Sequence, residues 1–439
     1  MLTKPEELKA QIYTTNSKEV NKGDCFIAIK GENNNGNVYV EDAFKKGAAI
    51  CIVDEMPEKN IIDKYNNRAI IKVENTILAL QSLAKNAREN NINIPLIAVT
   101  GSVGKTSTKD IIASVVGKKY KVLKTEANLN NHIGLPLTLL KLEDHEAIVV
   151  EMGMNHKGEI SVLTNIAKPD IAIITNVGTS HIGNLGSREN ILKAKLEILE
   201  GLKKDGKIVI NNDNDLLHKW NEEESLANVY TYGINVKSTV MATDIIEDEL
   251  GSKFKVENNE ININIPGDHF IYNALCAYTV GKILRIDISN IKEGIKNFAL
   301  TNKRMEINKV KGITLIEDYY NASYESTKES LKVLKNSKGK RKIAVLGDML
   351  ELGEFSSKMH KKVGAEAAKN NIDILITIGK ESINISEEAK KQGLDEVYHF
   401  ITNEDAIKFL KEILYKDDAI LLKASNAMNF GTIAEALKK

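Results

Sequence analysis

Short apolar runs, each closed by Gly, Asp or Ser, recur along this chain at residues 94–101, 147–153, 170–178, 206–213, 341–348, 372–379 and 419–425. A strand wetted on one face alternates apolar with polar, whereas a continuous run is buried on both faces. Between the runs lie stretches of helical periodicity, at 106–117, 187–202, 326–334, 356–369 and 404–414. Alternating strand and helix predicts α/β architecture, with mostly parallel sheets covered by helices.

Residues 238–247 and 252–265 break this rhythm by alternating apolar with polar, as paired antiparallel strands do, and are expected at the edge of the central sheet. Helices are expected at 269–284 and 290–298, leading to the linker Asn302-Lys303-Arg304. The first 80 or so residues carry their own small mixed pattern, with strands at 24–29 and 48–54 ahead of a helix at 76–89. At 439 residues the chain is too long for one core, and three tandem domains follow: 1–82, 83–301 and 302–439.

Charge excludes whole classes of partner. Lys plus Arg and Asp plus Glu stand at 60 each, so no net field draws in nucleic acid or an anionic membrane. Aromatic residues make up only 5%, too few for single-strand stacking platforms. Cys25, Cys51 and Cys276 are widely spaced and odd in number, which predicts reduced, buried thiols rather than a disulfide framework. With no signal-peptide pattern and no apolar run long enough to span a bilayer, a cytoplasmic protein without membrane insertion is expected.

The strongest local motif is Thr100-Gly101-Ser102-Val103-Gly104-Lys105-Thr106-Ser107, set between a buried strand and a helix. Backbone amides of such a glycine turn bind phosphates, Lys105 supplies a mobile charge, and the Thr106 hydroxyl reaches Mg²⁺. Val99 stands where the standard loop begins with glycine, so this is a variant. Glu151 ends the run from Ala147 and overlooks the crevice of an open parallel sheet, as a metal ligand or a solvated strand end. His181 follows the next strand, where a hydrogen-bonding role is the alternative to metal ligation. Lys195 shares a helical face with Ile191 and Ile198; snorkelling would account for it on local grounds. Asp318 to Ser323 and Leu346 to Gly353 form polar clusters after strands, as ligand crevices or turn and capping chemistry require.

Four segments together resemble the Mur ligases of peptidoglycan synthesis: Thr100 to Thr106, Asn128-Leu129-Asn130-Asn131-His132-Ile133-Gly134 with its Leu-Pro-Leu-Thr-Leu-Leu continuation, Glu151-Met152-Gly153-Met154-Asn155, and Leu346-Gly347-Asp348-Met349-Leu350-Glu351-Leu352-Gly353. The last string and the Asn-x-Asn-Asn-x-Ile-Gly pattern resemble the member that adds D-alanyl-D-alanine. The Asp-Asn-Pro-Arg signature of the diaminopimelate-adding ligase is missing.

The resemblance implies a UDP-sugar-peptide domain, a central ATP domain and a Rossmann-like C-terminal ligase domain. It implies ATP held by Gly101, Ser102, Gly104, Lys105, Thr106 and Ser107, with Asn273 near adenine and Arg304 and Asp318 brought by the C-terminal domain. Two Mg²⁺ sites are implied at Thr106, Glu151, His181 and a carbamylated Lys195. Lys105, Lys195, His181 and Arg304 would serve catalysis. Ser17, Asn128, Asn130, Asn131, Asn321, Ala322 and Asn426 would face the substrates, UDP-MurNAc-tripeptide and D-Ala-D-Ala, in a monomer.

Departures from the family pattern fall in both substrate pockets. They are Asn16-Ser17-Lys18 for Asp-Ser-Arg, Asn35-Gly36-Asn37 for Asp-Gly-His, Asn321-Ala322-Ser323-Tyr324 for Asn-Ala-Asn-Pro, and Lys423-Ala424-Ser425-Asn426 for Lys-Gly-Ser-Arg. A paralogue joining a different amine to a different carboxylate is therefore the first rival. A regulatory P-loop ATPase would leave Glu151, His181 and Lys195 without joint purpose, and a nucleic-acid-dependent ATPase conflicts with the charge balance.

Overall fold

A computed structural model describes residues 12–31, 34–300 and 303–439. Asn302 and the boundary expected between 301 and 302 lie outside the described residues. The first sheet is parallel, in the order β1 (Tyr13–Thr14), β2 (Cys25–Ile27), β3 (Ile50–Val53), β4 (Ala69–Lys72). Cys25 and Cys51 are buried free thiols packed in its two small cores, as the cysteine spacing predicted.

Helix Thr76–Asn90 runs unbroken across the expected 82/83 boundary. Asn75 caps it by accepting from Leu78 N–H at 2.9 Å. Its periodicity puts Leu80 into a core of the first sheet and Ala84 into that of the next, so one rigid rod joins both.

The central strands are β5 (Leu96–Thr100), β6 (Val122–Lys124), β7 (Ala147–Glu151), β8 (Ile171–Ile174), β9 (Lys207–Asn211), β10 (Val229–Gly233), β11 (Val240–Asp248), β12 (Gly251–Val256) and β13 (Asn259–Ile263). They order as β13-β12-β11-β10-β9-β8-β5-β7-β6. Strand β5 sits between β8 and β7, where the winding reverses, so the loop after it opens into a crevice. Residues 252–265, expected as one strand, fold into the hairpin β12–β13, with Glu257 at φ 55° in the turn.

The helix expected over 187–202 is α-helical only from Arg188 to Leu196, then 3₁₀ over Glu197–Gly201. The Thr164 hydroxyl takes the Ile198 carbonyl at 2.8 Å, and a Cβ on Gly201 would fall 2.1 Å from Thr164 O. This close approach competes with the α ladder and tightens the last turn.

The third sheet orders as β14 (Glu306–Val310), β15 (Ile313–Glu317), β19 (Ala419–Lys423), β16 (Lys342–Gly347), β17 (Ile374–Ile378), β18 (Val397–Phe400). Only β14–β15 is antiparallel. One apolar cluster extends from the central sheet into this domain through Met305, Ile316, Ala322 and Leu331. The two domains thus share a core, and a cavity of about 780 Å³ lies between them.

Candidate active site

Gly104 caps helix Lys105–Val116 in the left-handed region at φ 80°, which glycine adopts without a Cβ penalty. Lys105 Nζ donates to the carbonyls of Gly101 at 2.9 Å and Ser102 at 3.4 Å, bonds that phosphate oxygens can replace. Burial pushes the Lys105 ammonium below its ordinary value, Glu151 opposes that shift, and Arg304 adds to it. The loop tip is braced from below by the segment after β8. Asn176 Oδ1 accepts from Ser102 N–H at 3.1 Å and Val103 N–H at 3.0 Å, and Gly178 N–H donates to Ser102 Oγ at 2.9 Å.

Glu151 is buried at the end of β7, where Thr106 Oγ1 donates to one carboxylate oxygen and Asn130 Nδ2 to the other, both at 2.7 Å. Oxygen ligands of this kind suit Mg²⁺, which keeps waters and substrate phosphates in the rest of its shell. Among the described residues no cluster of three or more His, Cys, Asp or Glu converges, so protein groups alone do not build a metal cage. His181 takes φ 64° at the start of helix Ile182–Leu185. Its Nδ1 lies 2.8 Å from Glu351 of the C-terminal domain, within ion-pair range but outside hydrogen-bond alignment.

Lys195 is 1% exposed and, among the described residues, has no ion-pair or hydrogen-bond partner. Burial pushes its amine well below the ordinary lysine range, and the Lys105 charge adds to the shift. Snorkelling, the bland sequence reading, requires the ammonium to reach water, and this side chain does not.

Asn273 Oδ1 accepts from Thr108 Oγ1 at 2.9 Å, while its Nδ2 is buried without a partner beside the cavity. From the C-terminal side, the Arg304 guanidinium lies 4.1 Å over the Tyr320 ring, and its Nε is likewise unpartnered. Lys303 and Met305, flanking it, both adopt left-handed backbone, at φ 51° and 52°. Asp318 accepts from Met305 N–H at 3.2 Å and Ser330 Oγ at 2.6 Å, and pairs with Lys423 at 2.8 Å. Lys423 also donates to Asn321 O at 2.8 Å, and Asn321 and Ala322 line the cavity. These orphaned donors and the phosphate turn fit a nucleoside triphosphate.

The cavity wall brings together Ser102, Gly104, Lys105, Thr106, Ser107, Asn128, Asn130, Asn131, Glu151, His181, Asn273, Arg304, Asp318, Asn321 and Ala322. Gly101 and Lys195 are not part of this wall. Ser17 sits in a turn of the first domain and Asn426 in an exposed 3₁₀ turn, both away from this wall. Asn176, Tyr320 and Glu325 are contributors that sequence reasoning did not single out. Each lay within a few residues of a motif, but its contact crosses to another element and leaves no local pattern.

Consecutive stretches match the Mur ligase family, catalytic domain over 9–88, the Mur ligase middle domain over 99–281 and the Mur ligase, glutamate ligase domain over 303–426. The UDP-N-acetylmuramoyl-tripeptide–D-alanyl-D-alanine ligase of Bacillus subtilis is 39% identical over 429 residues, covering 96% of this chain and 92% of that protein. Its namesake in Escherichia coli is 30% identical over 442 residues, covering 99% and 95%. Among solved structures, MurF from Acinetobacter baumannii superposes with a TM-score of 0.89 at 28% identity, covering 98% of this chain and 94% of that one. MurF ligase from Thermotoga maritima in complex with ADP gives 0.84 at 28% identity, covering 98% of each. With a phosphate turn, a buried Thr106–Glu151 pair and an arginine delivered across the cleft, all on a fold matched along its whole length, the chain belongs to the Mur ligase family.

Proposed function

We propose that this chain is an ATP-dependent amide ligase that joins D-alanyl-D-alanine to UDP-N-acetylmuramoyl-tripeptide. The tripeptide's terminal carboxylate attacks the γ-phosphorus of ATP and ADP leaves. The dipeptide amine then attacks the acyl phosphate carbon, loses a proton and expels phosphate. The observation that carries this reading is that Lys105 of the central domain and Arg304 of the C-terminal domain line one cleft. Two such cations are placed to neutralise charge during phosphoryl transfer. The enclosing domains keep water from the acyl phosphate. The enzyme is read as a monomer, and two nucleotide substrates suit a reaction in the cytoplasm.

Mg²⁺, when bound, neutralises phosphate charge; Thr106 and Glu151 would hold one ion, and His181 with a carbamate on Lys195 a second. The carbamate forms when the Lys195 lone pair attacks carbon dioxide and the nitrogen loses a proton. A buried, neutral amine is the reactive form. The product anion turns the repulsion between Lys195 and Lys105 into attraction. A ¹³C-carbamate resonance under labelled carbon dioxide, absent in Lys195→Ala, is the expected signature, with activity of that variant partly rescued by a short carboxylic acid. Full activity of Lys195→Ala rejects this.

Phosphate release with each substrate withheld in turn tests the main reading. Turnover is expected only with ATP, UDP-MurNAc-tripeptide and D-Ala-D-Ala together, giving UDP-MurNAc-pentapeptide by mass. Turnover with another amine and none with D-Ala-D-Ala transfers the assignment to the same-class paralogue.

A further inference from the structure

We propose that Glu325, in the first turn of helix Tyr324–Asn336, is a positioning residue that locks the C-terminal domain onto the phosphate loop; the inference rests on the ligase reading. Its Oε1 accepts from Thr179 N–H at 2.8 Å and its Oε2 from Thr179 Oγ1 at 3.0 Å, a two-pronged contact between domains. Thr179 is buried. The approach is close, since a Cβ on Gly178 would lie 2.7 Å from Glu325 Cδ.

The segment gripped by Glu325 also braces the nucleotide site. Thr175 Oγ1 donates to Val103 O at 2.8 Å, Asn176 holds the Ser102 and Val103 amides, and Gly178 N–H holds Ser102 Oγ. Two residues beyond Thr179 the same segment presents His181. Docking of the C-terminal domain, the shape of the phosphate loop and the placement of His181 are therefore tied through one short stretch of backbone. A carboxylate suits the task because it offers two acceptors at fixed separation, and the helix N-terminus stabilises its charge. Glu325 does this without touching the transferring phosphoryl group, so its loss should slow closure and transfer rather than weaken nucleotide binding.

The test compares Glu325→Ala, Glu325→Gln, Thr179→Val and the Ala/Val double variant with wild type in steady-state ligation. Small-angle X-ray scattering with Mg²⁺ and a non-hydrolysable ATP analogue reports closure. Glu325→Ala should lower kcat about 10- to 100-fold, the loss of charge-assisted hydrogen bonds, while the KM for ATP changes less than about 3-fold. Glu325→Gln keeps one acceptor and a donor for the hydroxyl, and should recover most of kcat. The double variant should be no slower than Glu325→Ala. With the analogue, wild type should be compact and Glu325→Ala expanded. Wild-type kcat and compaction in Glu325→Ala, a defect confined to the KM for ATP, additive losses in the double variant, or a wild type as expanded as the variant would each overturn the proposal. Compaction that depends on Glu325 in an enzyme unable to use D-Ala-D-Ala would sustain the latch and reject the substrate assignment instead.

Discussion

Lys105 donates to two carbonyls of its own loop, bonds that nucleotide phosphates would replace under the proposed ligase reading. Lys105→Ala should leave the circular dichroism unchanged and reduce kcat at least about 100-fold, the scale of losing one preorganised charge donor. Near-normal turnover in a phosphate-release assay would remove the residue from the mechanism. His360 makes a pH-dependent contribution through the loop that carries Glu351. Its Nε2 accepts from Met349 N–H at 3.0 Å while Nδ1 faces Ser356 O at 2.8 Å, which fixes the neutral tautomer. Burial pushes its pKa below the ordinary histidine value, against opposing contributions from Ser356 O, Asp348 and Glu381. Below that ordinary value the unfolded chain takes up a proton that the native state refuses, so stability falls with acidification until the folded pKa is passed. His360→Gln keeps an acceptor without titrating. Urea unfolding from pH 6.5 to 5.5 should show the wild type losing more stability than this variant; parallel losses would refute the assignment. The place of Lys105 and Thr106 on the cavity wall was legible because a glycine turn leading into a helix is contiguous. Asn176 and Tyr320 were not, since turn chemistry explains an asparagine after a strand equally well and an arginine's aromatic platform has no fixed spacing.

Elements were legible where burial is two-sided. The continuous runs ending β5, β7, β16 and β17 could be nothing but central strands, and helix Ser356–Lys369 follows its periodicity to both ends. The hairpin β12–β13 was hidden because alternation persists through its turn, and the edge strand β14 because it is short and only half-buried, whereas β15 shows as the run before Asp318. Helix packing behind the phosphate loop depends on contacts that no periodicity reveals. Helix Ile288–Lys296 approaches helix Lys105–Val116 so closely that a Cβ on Gly294 would fall 2.6 Å from Val115 Cα, while Ser114 Oγ donates to Gly294 O at 2.7 Å. Backbone cannot yield as a side chain end does. Gly294→Ala should destabilise by about 1–3 kcal/mol in urea unfolding and raise the KM for ATP by shifting the helix that begins at Lys105. An unchanged midpoint would show that the helices slide freely.

At the scale of the molecule, the apolar clusters divide the chain differently from its three sheets. The central and C-terminal sheets share one cluster, to which the C-terminal sheet adds a second of its own, while the first domain has two small cores joined to the rest through helix Thr76–Asn90 and through Ile133, Leu137 and Leu140 packed on one of them. Calorimetry should therefore resolve a small transition for the first domain and a large one for the other two. Saturating Mg-ATP should raise only the large one, by about 2.7 kcal/mol at a hundredfold excess over Kd. A single transition that shifts as a whole would contradict this. The tandem order was visible in the sequence, but the shared core was not, because Ile316 and Leu331 look like ordinary interior residues of their own domain. The crowding of Gly178 against Glu325 has a consequence for inheritance. The two positions lie in different domains, yet a side chain at the first would push the carboxylate at the second off Thr179. Lineages descended from a common ancestor should consequently change them together, and a domain exchanged between two such enzymes should function only when both halves of the pair arrive from the same parent.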